Sequence, residues 1–549
     1  MPFSPDRKCL LTIAFLLAAG VASGQEPAEA DAEAEPPAAA DAGEVAAGEV
    51  AAEANQWATA IDAGFREYVV TPMETVLFYD LGPHLRTGGV AVPAVVLWLA
   101  AAAVFLTLRM GFINLRAFRH AIAVTKGDYD EEGDEGEVSH FQALSSALSA
   151  TVGLGNIGGV AVAVGLGGPG AVFWMVMCGL LGMTSKFTEC TLGQMYRRID
   201  HAGHVSGGPM RYLADGFTDI GLGFIGKPMA GLFAALCILA SFGGGCAFQV
   251  SQSRLPVTEI IADASGVESS VIDEYAWVYG AAMAVLVGIV IIGGIRRIAA
   301  TAEKIVPLMC LVYVCTAIAI LAMNLSQIGP AIQAIFSQAF TGDAAYGGVI
   351  GAIMVGMQRG VFSNEAGVGS AAIAHSAAKT KYPVREGIVA LLEPFIDTVV
   401  VCTMTGLVII VTGVCTDPAN AEIVASKEGA TLTSFAFKSA VSWFPFILAA
   451  AVVLFAYSTM ISWSYYGERC ATYLFGLGAA LPYRLIFVAI VFLSSVIQAK
   501  TALDFSDLAL FSMSVPNLIG LYVLSGKVKL ALDDYWVAYK LGDFKSERA

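Results

Sequence analysis

From Phe141 to Ser185 the chain carries no Asp, Glu, Lys, Arg or His. A run of that length suffices for two membrane crossings at about 20 residues each. Its first half contains Ala150-Thr151-Val152-Gly153-Leu154-Gly155-Asn156-Ile157-Gly158-Gly159. Each glycine costs about 1 kcal/mol of helix propensity relative to alanine. In lipid, opened backbone is tolerated only where protein or a water-filled cavity satisfies its polar groups. The segment is therefore expected to be a broken membrane helix that lines a site.

The remaining sequence fits a chain that crosses the membrane many times. Hydrophobic residues make up 56% of it and charged residues only 14%, which excludes an ordinary soluble domain. The reading is an all-α polytopic membrane protein. Hydropathy predicts eleven spans, at about 90–110, 141–165, 169–195, 228–252, 276–295, 303–324, 345–376, 387–414, 443–468, 482–499 and 504–525. Basic residues follow every second span: Arg116, Arg119 and Lys126; Arg197, Arg198 and Arg211; Arg296, Arg297 and Lys304; Lys379, Lys381 and Arg385; then Lys527, Lys529, Lys540, Lys545 and Arg548. The loop at 254–275 has Arg254 alone among its acids, and 325–344 has no base. The basic loops and the tail, 527–549, are thus expected on the cytoplasmic side of a plasma membrane, the bacterial inner membrane.

At the start, Arg7 and Lys8 precede a short apolar run and then Ala22-Ser23-Gly24, the pattern of a signal peptide over 1–24. Residues 25–55 are expected to form an acidic Ala/Glu/Pro-rich linker outside the membrane. The net charge of −15 is concentrated in this linker and in Asp128 to Glu137. Both clusters read as solvated segments, with no nucleic-acid partner implied. The ten cysteines show no paired spacing and read as small apolar packing residues, with no disulfide or metal framework.

Gly153-Leu154-Gly155-Asn156-Ile157-Gly158 matches the G-x-G-x-x-G dinucleotide fingerprint, but it follows no strand, and no acid occurs before Glu189. No H-E-x-x-H, phosphate loop or nucleophile–base set appears, so no enzyme and no resident cofactor is expected. Gly155 and Gly159 alone would suit close helix packing. Together with Gly153, Gly158, Thr151, Asn156 and the serines at 145, 146 and 149, they favour a binding break.

A second interruption lies in the seventh apolar segment, Gly356-Met357-Gln358-Arg359-Gly360-Val361-Phe362-Ser363-Asn364-Glu365-Ala366-Gly367-Val368-Gly369-Ser370. It follows the first by five spans. Glycine-interrupted spans at corresponding places in two halves point to an inverted-repeat transporter. The expected transport domain covers 60–530. Its two five-helix repeats, 141–324 and 345–525, have opposite orientation, and one extra span precedes them.

At these residues the chain resembles the alanine or glycine:cation symporter family, chiefly through Gly153 to Gly159 and Arg359 to Ser370. The resemblance implies a leucine-transporter-like fold and sodium-coupled uptake of small neutral amino acids such as alanine or glycine. It implies one sodium ion at Asn156 and the Thr151 carbonyl, and the substrate carboxylate at amides around Gly153 to Gly155, where a half-helix dipole favours an anion. It places Gln249 against the amino acid and adds Gly356 and Gly360 of the second break to the substrate site. A second sodium site falls at Ala456 and Thr459 with backbone oxygens of Ser149 and Val152. Trp463 shares a helix face with Thr459 and is expected to cap the pocket. Cys246, Ser251 and Met460 depart from the pattern of the family or its wider group.

Ionisable groups at span depth are costly and usually functional or paired. Lys186, Glu189, Arg359, Glu365, Glu393 and Asp397 are of this kind. With Ser363 and Asn364, the arginine and the carboxylates are assigned structural or gating roles. Glu189 is expected to accept from opened backbone near Gly356 to Gly360. Glu393 and Asp397, four residues apart, are expected to share one helix face. A proton-coupled or exchange-type carrier and an ion channel are the alternatives. The preferred amino acid and the oligomeric state stay open.

Overall fold

The computed structural model describes residues 59–85, 91–131, 133–201, 203–292, 294–341 and 347–544. The expected signal segment, the acidic linker and the end of the tail, including Lys545 and Arg548, lie outside the described residues. Apart from the two-residue strands Arg198–Ile199 and Val205–Ser206, the regular structure is helical.

Among the described residues, seven helices are long and apolar enough to cross a membrane, and an eighth span forms if the bent pair His140–Thr151 and Gly155–Gly167 counts as one. Ala94–Arg109 and Ala276–Ile291 are apolar but shorter. The remaining expected span is divided into Gly348–Asn364 and Ala371–His375. Eleven spans were expected; all eleven segments are helical, and eight meet the length for a crossing.

The first break forms where the sequence placed it. Ser139 starts the helix with a capping box: its hydroxyl accepts from the Gln142 amide at 3.2 Å, and the Gln142 side chain accepts from the Ser139 amide at 3.1 Å. The helix ends at Thr151. The chain bends by 55° and resumes through a π-helical turn at Gly155–Gly159. Glycine at 153 is required by crowding, since a Cβ there would lie 2.6 Å from Thr459 Oγ1 and 3.1 Å from Gln249 Oε1.

The second break lies within the expected segment, Gly356 to Ser370, but opens only in its second half. The helix runs unbroken through Gly356 and Gly360 and ends at Asn364; Glu365 then takes a left-handed conformation, φ 55°. Gly367 and Gly369, with φ of 89° and 94°, carry the chain through a region that L side chains avoid. Gly356 and Gly360 instead form a packing seam on Gly170–Met195. Cβ atoms there would fall 2.5 Å from the Ala171 carbonyl oxygen and 2.9 Å from Cys178 Cβ. Without side chains to keep them apart, the two helices approach closely.

Gly170–Met195 packs against both broken spans, and Phe444–Phe475 packs against His140–Thr151 and Ala371–His375. On the face opposite the basic loops, the helix Gly429–Ala440 rests on the first break, and a Cβ on Gly429 would overlap the Gly158 carbonyl. On the basic-loop face, Arg197 holds the segment after the second broken span by donating to the carbonyls of Ser376 (3.1 Å), Ala378 (2.5 Å) and Thr380 (2.9 Å). The last helix, Ala499–Leu541, continues well past the expected span and takes in most of the expected tail.

Candidate functional site

The two breaks and the helices around them line a narrow cavity of about 10 Å³, room for about one water molecule. Ala150, Thr151 and Gly155 of the first broken span line it, with Phe362 and Glu365 of the second. Gly244, Gln249, Trp463 and Leu510 come from neighbouring helices. Three elements around the cavity are locally unwound to π-helical turns: Gly155–Gly159, Gly243–Ala247 and Phe395–Cys402. Such turns leave backbone groups unpaired by the regular ladder and collect at functional sites.

The amides of the first break are shared between side chains and cavity. The Gly153 amide donates to Asn156 Oδ1 at 2.8 Å, and the Leu154 amide donates to Gln249 Oε1 at 3.1 Å. Of the glycines expected to receive a carboxylate, Gly155 is the one that lines the cavity. Gln249 Nε2 donates to the Gly244 carbonyl at 2.9 Å, so this one side chain ties two unwound elements together.

Asn156, fully buried, connects the break to a cluster of oxygens. Its Nδ2 donates to Asp397 Oδ1 at 2.6 Å, to the Asp397 carbonyl at 3.1 Å and to Cys402 Sγ at 3.4 Å. Ser363 Oγ and Thr398 Oγ1 donate to the other carboxylate oxygen at 2.7 and 2.6 Å. Asn364 Nδ2 donates to Thr398 Oγ1 at 3.0 Å. Asp397 is thus a buried carboxylate held only by neutral donors, and it forms no ion pair among the described residues.

Of the other expected sodium ligands, Ser149 sits against the Phe444–Phe475 helix and Thr459 faces Gly153. Ser149 Oγ donates to the Ser458 carbonyl at 2.9 Å. Ala456 and Thr459 are buried, and Thr459 Oγ1 has no hydrogen-bond partner. Trp463, 1% exposed, lines the cavity and donates through Nε1 to Glu365 Oε1 at 3.1 Å.

Three expectations are corrected, and Arg359 keeps its structural role. Gly356 and Gly360 are absent from the cavity wall because they serve the helix seam. Glu189 does not meet the backbone of Gly356 to Gly360; it accepts from Asn517 Nδ2 at 2.8 Å, and that same nitrogen donates to the Gly367 carbonyl at 2.9 Å. Glu393 and Asp397 serve different partners. Glu393 takes Lys186 Nζ at 2.9 Å while Asp397 takes Asn156, and the π turn starting at Phe395 begins between them. Arg359 stacks on Phe362, with its guanidinium carbon 5.0 Å from the ring centroid, and forms a buried pair with Asp507.

Sequence reasoning missed Asp507, Thr398, Phe362 and a buried chain on the basic-loop side. In that chain His140 pairs with Glu386, His375 Nδ1 meets Glu386 at 2.5 Å, and His375 Nε2 lies 3.7 Å from Glu393. Asp507 met the criterion of an ionisable group at span depth. His140, His375 and Glu386 sit near span ends, where charge carries no such signal.

Comparison with known proteins shows the family and the fold. The profile described as "Sodium:alanine symporter family" matches residues 86–548. The sodium/alanine symporter AgcS of Methanococcus maripaludis is 41% identical over 437 residues, covering 79% of this chain and 92% of that protein. The probable sodium/glutamine symporter GlnT of Bacillus subtilis is 33% identical, covering 81% and 88%. The putative sodium/proton-dependent alanine carrier protein YrbD, also of Bacillus subtilis, is 36% identical, covering 77% and 86%. Among solved structures, MhsT in complex with L-phenylalanine superposes with a TM-score of 0.54 at 15% identity, covering 73% of this chain and 93% of that one. The chain shares the leucine-transporter-like fold of that protein.

Proposed function

The chain belongs to the sodium:alanine symporter family, and on that premise we propose that it imports a small neutral amino acid, alanine or glycine, together with sodium by alternating access. It is a multi-pass membrane transporter, not an enzyme. The observation that carries the proposal is the oxygen cluster of Asn156, Ser363, Thr398 and Asp397 beside a small cavity. Oxygen donors suit a hard cation. A carboxylate buried without a counter-charge is stabilised by receiving one.

In this reading the first sodium binds at Asn156 and Asp397, with Ser363 and the Thr151 carbonyl. Asn156 also holds the Gly153 amide, so ion loading orders the loop whose Gly155 amide receives the substrate carboxylate next to Gln249 and Thr151. The second sodium binds between Ser149, Val152, Ala456 and Thr459. The unpartnered Thr459 hydroxyl supports this assignment. Since Thr459 Oγ1 lies 2.6 Å from where a Gly153 Cβ would be, both ions in this reading act on one loop. Coupling of this kind is reciprocal: sodium tightens substrate binding by the factor that substrate tightens sodium binding.

The architecture follows as two inverted five-helix repeats behind one extra span, with the basic-loop face in the cytoplasm of a bacterial inner membrane. In this orientation Phe362, in the cavity wall, and the Arg359–Asp507 pair against it lie toward the outside. The buried Lys186–Glu393–His375–Glu386–His140 chain lies toward the cytoplasm. That same chain of titratable groups favours proton coupling as the second reading. Uptake of labelled alanine into proteoliposomes separates the two. An inward sodium gradient with the proton gradient collapsed is expected to drive accumulation. Accumulation driven only by a proton gradient would establish the second reading.

A further inference from the structure

We propose that Glu365 recognises the α-ammonium group of the transported amino acid. The inference rests on the cavity being the amino-acid site and concerns how that site tells an amino acid from another small carboxylate. Glu365 lines the cavity and is 4% exposed. Its left-handed backbone at the end of Gly348–Asn364 projects it out of the helical ladder. Trp463 Nε1 donates to one carboxylate oxygen at 3.1 Å and the Ser370 hydroxyl donates to the other. Neither donor carries charge.

The cations nearest in the fold are committed elsewhere. Lys186 pairs with Glu393 and Arg359 with Asp507. Among the described residues Glu365 forms no ion pair. A buried carboxylate in this position lacks a counter-charge, and it faces the space where a zwitterion binds. The ammonium group supplies that charge, while the substrate carboxylate turns to the Gly155 amide and Gln249. A structural clasp would also place Glu365 between Trp463 and Ser370, but it needs no net charge and no access to the cavity.

Binding of alanine and of propionate, which has the same carbon skeleton without the ammonium group, distinguishes the two roles. Dissociation constants are measured by calorimetry on purified protein in saturating sodium. The wild type is expected to prefer alanine by about 30-fold or more, the scale of a desolvated charge pair. Glu365→Gln keeps hydrogen-bonding capacity and is expected to lose that preference by weakening alanine alone. Glu365→Asp is expected to retain part of it. Equal losses for both ligands, or alanine bound by Glu365→Gln within about threefold of the wild type, would overturn the proposal. Should Glu365→Gln fail to fold, a wild type that binds the two ligands alike overturns it equally. A wild type that binds propionate but no amino acid would instead sink the amino-acid reading of the cavity.

Discussion

Trp463 bounds the cavity from the Phe444–Phe475 helix, and its ring is held in place by the Glu365 hydrogen bond and by Gly245, where a Cβ would lie 2.4 Å from Trp463 Cβ. Such a ring cannot swing aside without disturbing both neighbours. Trp463→Ala is therefore expected to admit larger neutral amino acids, seen as competition by leucine or phenylalanine against alanine uptake. A selectivity profile equal to the parent's would count against a size limit set by this ring. At this scale the sequence was informative where chemistry and position coincide. Asn156, Gln249 and Trp463 stand in or beside glycine-rich or hydroxyl-bearing motifs, and all three meet at the cavity or the oxygen cluster beside it. Asp397 was visible as an intramembrane charge, but its partners Asn156 and Ser363 are 241 and 34 residues away in the chain. Only the fold brings them together.

Elements are joined by the buried ions. Lys186 on Gly170–Met195 and Glu393, at the start of the span that carries Asp397, are both fully buried and 2.9 Å apart. Removing one partner leaves the other's charge uncompensated, which typically costs about 3–5 kcal/mol. Lys186→Met is expected to lower the melting temperature of the purified protein sharply, and adding Glu393→Gln is expected to recover much of the loss. If the double variant melts no higher than the single one, the pair is not what the lysine stabilises. The two breaks differ in how readable they were. The first follows from a glycine cost that nothing local offsets, and it lies at the expected residues. In the second, every glycine looked like an opening. Gly356 and Gly360 proved to be packing contacts, while the opening begins at Glu365 and depends on Gly367 and Gly369. Which glycine opens a backbone and which admits a neighbour depends on the facing helix, and a single sequence does not carry that information.

Across the whole molecule, charge asymmetry between loops is the basis of the proposed orientation, and the spacing of the two breaks is the basis of the proposed repeat. The last helix does more than hydropathy showed. It continues to Leu541 and docks on Phe118–Thr125, where Tyr535 Oη and His120 Nε2 are 2.7 Å apart. Burial, with a smaller contribution from the nearby Arg385 charge, lowers the His120 pKa to about 4. An unfolded histidine titrates near 6.5. The unfolded chain therefore binds this proton first as pH falls. The stability held in the neutral imidazole is complete above about pH 6.5 and is lost progressively toward pH 4. His120→Phe is expected to flatten that part of the melting-temperature profile, and an unchanged slope would mean that His120 is not its source. The account as a whole depends on ion and substrate sharing one loop through Asn156. The most direct test is the sodium concentration giving half-maximal alanine uptake in proteoliposomes, compared between the wild type and Asn156→Ala. A clear rise in the variant is predicted, and an unchanged sodium dependence would contradict the coupling proposed at this site.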